Sequence, residues 1–200
     1  MTGRRASRDA QRCEDAELVA SACAGDDHAF AALFRRHAPD LVRFVERRCG
    51  SPSTADDVVA ATFERAWTQV CDLSRRHVAF RPWVFRLAGN ELIDVMRSMD
   101  RRRRREERAS QADVNISAGS EPDGVPVVHG IDADTLRAAL STLSATHQEV
   151  IALRWFGDLD VQEVAAALDI TSGAVAVRAH RATTALRTAL SETRPRGAGK

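Results

Sequence analysis

From Asp15 onward, apolar residues recur at three- and four-residue intervals. Leu18, Val19 and Ala22 open the pattern, and Phe30, Leu33, Phe34, Leu41, Phe44 and Val45 continue it. That spacing marks one buried face of an α-helix. Gly25-Asp26-Asp27 interrupts the pattern and offers an N-cap for the second helix. Gly50-Ser51-Pro52-Ser53 interrupts it again. A third helix follows, with Val58, Val59, Thr62, Phe63, Ala66 and Trp67 on its stripe and Thr54 with Asp57 as a capping box. Asp56 and Asp57 suit the positive end of that helix. A loop from about Asp72 to Ala79 leads to a fourth helix, where Pro82 is tolerated only in the first turn. Trp83, Leu87, Leu92, Ile93 and Met96 line one side of it. Trp67 and Trp83 are assigned to the core. Phe85, two residues beyond Trp83, points to another side.

The periodicity then stops. Arg101 to Glu107 is a charge run, and Ala109 to Gly130 is rich in Ser, Gly, Pro and Asp, a composition unable to bury a core. Periodicity returns near Asp132 with Leu136, Ala139, Leu140 and Leu143. Val150, Ile151, Leu153, Trp155 and Phe156 form the next stripe, after a Thr146/Glu149 capping box. Asp160 and Glu163 form another box, opening a short helix with Val164, Ala165 and Leu168 inside. Asp169-Ile170-Thr171 is a turn, and Thr171 or Ser172 caps the last helix. No strand-like alternation occurs in the first half. The expectation is an all-α protein of two small helical domains, 15–100 and 132–190, joined by a flexible linker, 101–131, with a disordered tail at 1–14 and another at 191–200.

Composition changes this picture little. Over 200 residues the net charge is only +1, so any nucleic-acid footprint must be local. Lys200 is the one lysine, and the rest of the basic set is arginine, which suits bidentate phosphate and guanine contacts. A GC-rich genome would produce the same bias. Cys13, Cys23, Cys49 and Cys71 form no C-x-x-C pair, and no His-Cys cluster has zinc spacing. Reduced, buried thiols are the expectation, with a redox or zinc role the minor alternative. No cofactor and no metal site are expected. There is no signal-peptide apolar region, and no apolar run approaches the ~20 residues of a membrane span, so a cytoplasmic protein without membrane insertion is expected.

The sharpest local signal lies in the last third. Asp160 to Arg187 reads as a helix-turn-helix, DVQEVAAALDITSGAVAVRAHRATTALR, whose second helix holds Arg178, His180, Arg181 and Arg187 and no carboxylate. That is the charge distribution a phosphate backbone selects. The bland alternative is a solvated surface helix.

Together, the two halves resemble the extracytoplasmic-function (ECF) group of the sigma-70 family, from about Asp15 to Arg187. Glu17-Leu18-Val19, Gly25-Asp26, Ala29-Phe30 and Leu33 to His37 look like the family's opening helices. Ala55-Asp56-Asp57-Val58-Val59, Thr62-Phe63 and Arg65-Ala66-Trp67 look like the helix that grips the clamp coiled coil of RNA polymerase. Phe80-Arg81, Trp83-Val84, Arg86-Leu87-Ala88, Asn90 and Ile93-Asp94 look like the promoter-melting helix. Leu143, Gln148-Glu149-Val150 and Leu153-Arg154 look like the start of region four. Glu163-Val164-Ala165, Leu168, Ile170, Gly173, Val175, Arg178, His180-Arg181-Ala182 and Leu186-Arg187 look like its helix-turn-helix.

The resemblance implies a region-two bundle and a region-four helix-turn-helix. It implies a sigma factor that binds core RNA polymerase, through clamp coiled coil and flap, and directs promoter-specific initiation for a stress or envelope-type regulon. Thr171, Ser172, Ala174, Arg178 and Arg181 would meet the minus-thirty-five element. Arg81, Arg86, Asn90, Asp94 and Arg97 would meet the minus-ten element, with a pocket for a flipped base near Asp72 to Phe80. Asp56, Asp57, Glu64 and Arg65 would meet polymerase. No residue is catalytic. An anti-sigma factor is a further partner the resemblance admits.

The chain departs from the family at three places. Ala60-Ala61 stands where Gln-Glu is usual, Ala176-Val177 where Lys-Ser is frequent, and Gly89 where an arginine is usual. The first two leave open a sigma-like decoy or adaptor that binds an anti-sigma factor without reading promoters. A one-component regulator would need a ligand-like polar cluster in the first half, and none is present. A nuclease would need clustered carboxylates for metal ions. The adjacent pairs Asp26-Asp27 and Asp56-Asp57 are better explained as helix starts.

Overall fold

The computed structural model describes residues 2–76, 78–110 and 133–193. Among them are eight α-helices, one π-helical turn and no strand. Helices α1 (Thr2–Cys23), α2 (Asp27–Cys49), α3 (Pro52–Arg76) and α4 (Phe80–Ser110) make the first bundle. Helices α5 (Ala133–Ser141), α6 (Ala145–Ile151), α7 (Val161–Leu168) and α8 (Ser172–Thr193) make the second, with the π turn Ala152–Phe156 between α6 and α7. Most of the expected linker lies outside the described residues, as do residues 194–200.

Helix ends follow side-chain chemistry, at places other than those expected. Asp26 caps α2, its carboxylate accepting from the His28 and Ala29 amides. Gly50 ends α2 in the left-handed region at φ 70°, which glycine adopts without a Cβ penalty. The Thr54/Asp57 box is not used. Ser51 Oγ accepts from the Thr54 amide, so Pro52 can sit in the first turn of α3. Ser144, not Thr146, caps α6, accepting from the His147 amide. The Asp160/Glu163 box forms in full. Asp169 ends α7 at φ 53°, and Thr171 Oγ1 accepts from the Ala174 amide at the start of α8.

Three helices are longer than periodicity indicated. The backbone is helical back to Thr2, across the segment expected to be a disordered tail. Helix α3 runs to Arg76, well into the expected loop, and α4 runs through the arginine-rich stretch to Ser110. Arginine and glutamate are good helix formers. Arg102 Nε donates to Glu106 Oε1 at 2.7 Å, one turn on. An apolar stripe reveals where a helix is buried; it is blind to a helix that continues into solvent.

The core of the first bundle holds Leu33, Leu41, Phe44, Val45, Val58, Phe80, Val84, Phe85 and Leu92, each at most 2% exposed. Phe85 is thus a core residue, and Trp83 packs against the core from its edge. Trp67 is a correction: it is 42% exposed, with one edge stacked on Phe30 at 4.9 Å. Trp155 is another, at 51% exposed, because the wide π turn rotates it outward while Phe156 packs inward. Asp15 is buried and ties α1 to α2. Its Oδ1 accepts from Arg36 Nη1 at 2.6 Å, and its Oδ2 lies 2.8 Å from His37 Nε2. His37 Nδ1 is buried and has no hydrogen-bond partner among the described residues.

Cysteine chemistry also departs from expectation. Cys23 and Cys71 are joined by a disulfide between the end of α1 and the last two turns of α3. Cys13 is exposed and free, and Cys49 is half-buried, its Sγ 3.4 Å from the Ser51 carbonyl oxygen. Spacing could not show the pair, because 48 residues separate its members and only helix packing brings their Cα atoms to 4.8 Å.

The bundles are not independent. Leu153, Leu159, Val164, Ala165, Ala167 and Val175 from the second half belong to the same apolar cluster as Phe44 and Phe85. Gly157 permits this approach. A Cβ there would lie 2.8 Å from Leu159 Cδ1 and 3.0 Å from Phe85 Cδ1. The second bundle keeps a smaller cluster of its own, Leu143, Ile151 and Ala182 with Leu140, Ala185 and Leu186.

Candidate promoter and polymerase interfaces

Helix α8 is anchored by Val175 and Ala182, two turns apart and fully buried. That anchorage turns Thr171, Ser172, Gly173, Ala176, Val177, His180 and Arg181 outward. Ala174 and Arg178 lie half-buried at the edge of the same face. Among the described residues, no ion pair or side-chain hydrogen bond engages Arg178, Arg181 or Arg187. The first turn carries no acidic residue, so its amides retain their pull on an anion. Glu192 is the one carboxylate on α8, in the last turn, far from this end. Val177 is 50% exposed, a large apolar side chain in an otherwise polar and basic surface.

The expected minus-ten residues present a different situation. Arg86, Asn90, Asp94 and Arg97 follow one face of α4 at intervals of three or four residues, with Arg81 above them. This face meets the second bundle. Arg81 Nη1 donates to Glu163 Oε1 at 3.0 Å, and Nη2 donates to the Gly157 carbonyl at 3.2 Å. Its guanidinium also sits 5.0 Å from the centre of the Phe85 ring. Arg86 Nη1 donates to the Ala167 carbonyl at 2.9 Å, and its Nε lies 3.7 Å from Glu149 Oε1. Asn90, Asp94 and Arg97 line a cleft closed by Ala145 and Glu149. Arg97 lies 3.8 Å from Asp94, a loose pair exposed to water.

Glu163 holds both contacts at once. Its Oε2 accepts the Asp160 amide and completes the α7 capping box, while Oε1 takes Arg81. Both side chains of the Arg81–Glu163 pair are only about 15% exposed. Such a pair loses more from removal of one partner than an exposed pair does. The capping-box reading found Glu163 without revealing that it reaches α4.

Arg48 is a residue the sequence reading did not single out. Burial pushes its guanidinium down to about 10, with the neighbouring Cys49 and Glu149 acting in the opposite direction. It remains cationic at neutral pH. It packs 5.5 Å from the centre of the Phe44 ring, and its Nη1 would be 3.6 Å from a Cβ at Gly89. The glycine that departs from the family pattern therefore lies against a half-buried arginine from α2.

On α3, Asp56, Asp57, Ala60, Glu64, Arg65 and Trp67 are all exposed. Arg65 Nη1 donates to Glu91 Oε2 at 3.2 Å, linking this surface to α4. Its opposite side is buried through Ala55, Val58, Val59, Thr62, Phe63 and Ala66, with Thr62 Oγ1 donating to the Val58 carbonyl. No group of three or more metal-ligating side chains occurs among the described residues. None of the helices described is long and apolar enough to cross a membrane.

Comparison with known proteins matches this arrangement at both ends. Sigma-70 region 2 matches residues 33–104 and Sigma-70 region 4 matches residues 139–188. The chain is 33% identical over 174 residues to the ECF RNA polymerase sigma factor SigL of Mycobacterium tuberculosis, covering 87% of this chain and 96% of SigL. It is 31% identical over 176 residues to RNA polymerase sigma factor CarQ of Myxococcus xanthus, covering 84% of this chain and 92% of CarQ. A solved structure of CnrH in complex with the cytosolic domain of CnrY aligns with a TM-score of 0.60 and 26% identity, over 90% of this chain and 98% of that one. With these matches in both halves, the chain belongs to the ECF group of the sigma-70 family and is a sigma factor that directs transcription.

Proposed function

We propose that α8 reads the minus-thirty-five element in the major groove, that α4 engages the minus-ten element, and that the exposed face of α3 docks on the polymerase clamp. The observation that carries this reading is the outer face of α8, whose arginines have no partner among the described residues and whose N-terminal turn has no acid. Arg178 at the groove edge and Thr171, Ser172 and Ala174 in the first turn are the candidates for base edges, with Arg181 on phosphate. Val177 and Ala176 offer apolar contact to a thymine methyl where the family more often presents polar donors. Asp56, Asp57, Glu64 and Arg65 form the polymerase contact, and the exposed Trp67 joins them. RNA polymerase performs the chemistry, in the cytoplasm, and this chain selects where it begins. The proposed units are 15–100 for region two and 132–190 for region four.

In the closed arrangement, Arg81 and Arg86 are already hydrogen-bonded to the second bundle. Minus-ten engagement therefore requires them to exchange a carboxylate and two carbonyls for DNA phosphates. The closed form is a state that promoter and polymerase open. The CnrH neighbour was solved in complex with the cytosolic domain of CnrY, and the closed form of this chain is the one an anti-sigma partner would hold. A decoy that never reads DNA has no use for the open α8 surface.

Transcription with purified core polymerase on genomic fragments, with start sites mapped, tests the assignment. Discrete starts with footprints over both elements are expected. Arg178→Ala should erase the upstream footprint while leaving polymerase binding intact. An unchanged upstream footprint in that variant would sink the α8 assignment.

A further inference from the structure

The disulfide between Cys23 and Cys71 has no role in promoter reading as described above. It sits where α1 ends and one residue before the Asp72–Phe80 segment that is expected to hold a flipped base. Both cysteines are half-buried, so small oxidants and thiols reach them. Cys71 Sγ lies 3.5 Å from the Cys23 carbonyl oxygen, an acceptor ready for the thiol proton when the bond is open. The site is therefore compatible with both redox states. Proteins that work beside RNA polymerase meet a reducing cytosol, where disulfides are mainly transient, catalytic or redox-sensing.

We propose that Cys23 and Cys71 form a reversible redox site, oxidised by hydroperoxides, that clips α1 to α3 and slows strand opening at the minus-ten element. This inference rests on the cytoplasmic placement and minus-ten assignment proposed above. One thiolate attacks the O–O bond, taking one oxygen as a sulfenic acid and releasing the other as an alcohol, or as water from hydrogen peroxide. The second thiolate then attacks the sulfenic sulfur, forming the S–S bond and releasing water. Two thiols and one hydroperoxide yield one disulfide, one alcohol and one water; sulfur loses two electrons and the peroxide gains them. A cytosolic dithiol reverses the clip by exchange, becoming a disulfide itself and returning two protons.

The consequence follows from position. The clip closes a loop of 48 residues holding all of α2 and most of α3. Such closure stabilises the folded bundle by constraining the unfolded chain. It also holds the last two turns of α3, which carry Asp72 to Arg76, the α3 part of the Asp72–Phe80 segment. A segment that must rearrange around an extruded base opens more slowly when its anchoring helix cannot shift. The upstream contact, on α8, is untouched.

The test uses the full chain. Fully reduced protein is treated with hydrogen peroxide, freed of oxidant and alkylated. Peptide mapping should find the Cys23–Cys71 link, with Cys49 alkylated, and dithiothreitol should reverse it. The thermal midpoint of oxidised protein should exceed that of reduced protein by roughly 10 °C. Cys23→Ser and Cys71→Ser should each abolish that difference, and Cys13→Ser should keep it. Oxidised protein, mixed with untreated core polymerase, should show several-fold slower permanganate reactivity at the minus-ten element, with an unchanged upstream footprint. Peroxide that leaves Cys23 and Cys71 alkylatable, or oxidation that leaves strand opening unchanged, overturns the proposal. Mapping and thermal midpoint need no DNA. A redox-active pair in a chain that directs no transcription would therefore count against the promoter assignment, not against the chemistry.

Discussion

Two arginine-bearing helices face nucleic acid in the proposed reading, and the structure treats them in opposite ways. On α8, Arg178 and Arg181 project from a helix anchored by Val175 and Ala182 and meet no acceptor among the described residues. On α4, Arg81 and Arg86 are engaged by Glu163 and by the carbonyls of Gly157 and Ala167. One surface is ready for DNA; the other is occupied by the rest of the same chain. The lesson is that a basic helix is not automatically an available one. Its availability depends on which acceptors the fold brings within about 3 Å.

The comparison can be broken at several points. The largest effect belongs to Arg178→Ala, expected to weaken binding to a minus-thirty-five duplex by roughly 5- to 150-fold, the range of one good base contact. Fluorescence anisotropy with matched and scrambled duplexes would measure it, and equal loss on both would reassign Arg178 to phosphate. Next is Gly157→Ala. Its new methyl has no room beside Leu159 and Phe85, at a cost of about 1–3 kcal/mol for overpacking. Distances between spin labels on α3 and α8 should lengthen, and minus-ten strand binding should strengthen.

Glu163→Gln should act in the same direction more weakly. Glutamine preserves the α7 capping box while removing the charge that holds Arg81. Tighter single-strand binding with unchanged helicity by circular dichroism is expected, and unchanged binding would mean that Arg81 is not limiting. The smallest effect is Arg181→Ala. It should lower the slope of log affinity against log salt by about 0.9 without changing sequence preference.

Much of the fold was legible in the chain, for reasons visible in particular residues. The stripe through Leu33, Leu41, Phe44 and Val45 marked a buried face because helical geometry puts those positions on one side. The Asp160/Glu163 box was readable because its partners are three residues apart. Misreadings came where the decisive partner was distant or where no burial was involved. Trp67 matched the α3 stripe yet lies at its edge, stacked on Phe30 and open to solvent. Trp155 matched a stripe that the π turn rotates away. Asp15 carried no sequence signal for its pairing with Arg36 and His37 across two helices. The helical backbone from Thr2 and the extension of α4 to Ser110 left no apolar trace.

By itself, the sequence determined the helices, their buried faces and the acid-free surface of α8, because helix periodicity, capping and charge are local properties. The tertiary structure decided which of those surfaces are free. It placed Glu163 against Arg81, passed Phe85 over Gly157, set Arg48 beneath Gly89 and brought Cys23 to Cys71. Each of these depends on where separate helices cross, and the spacing of residues along one helix carries no information about the crossing.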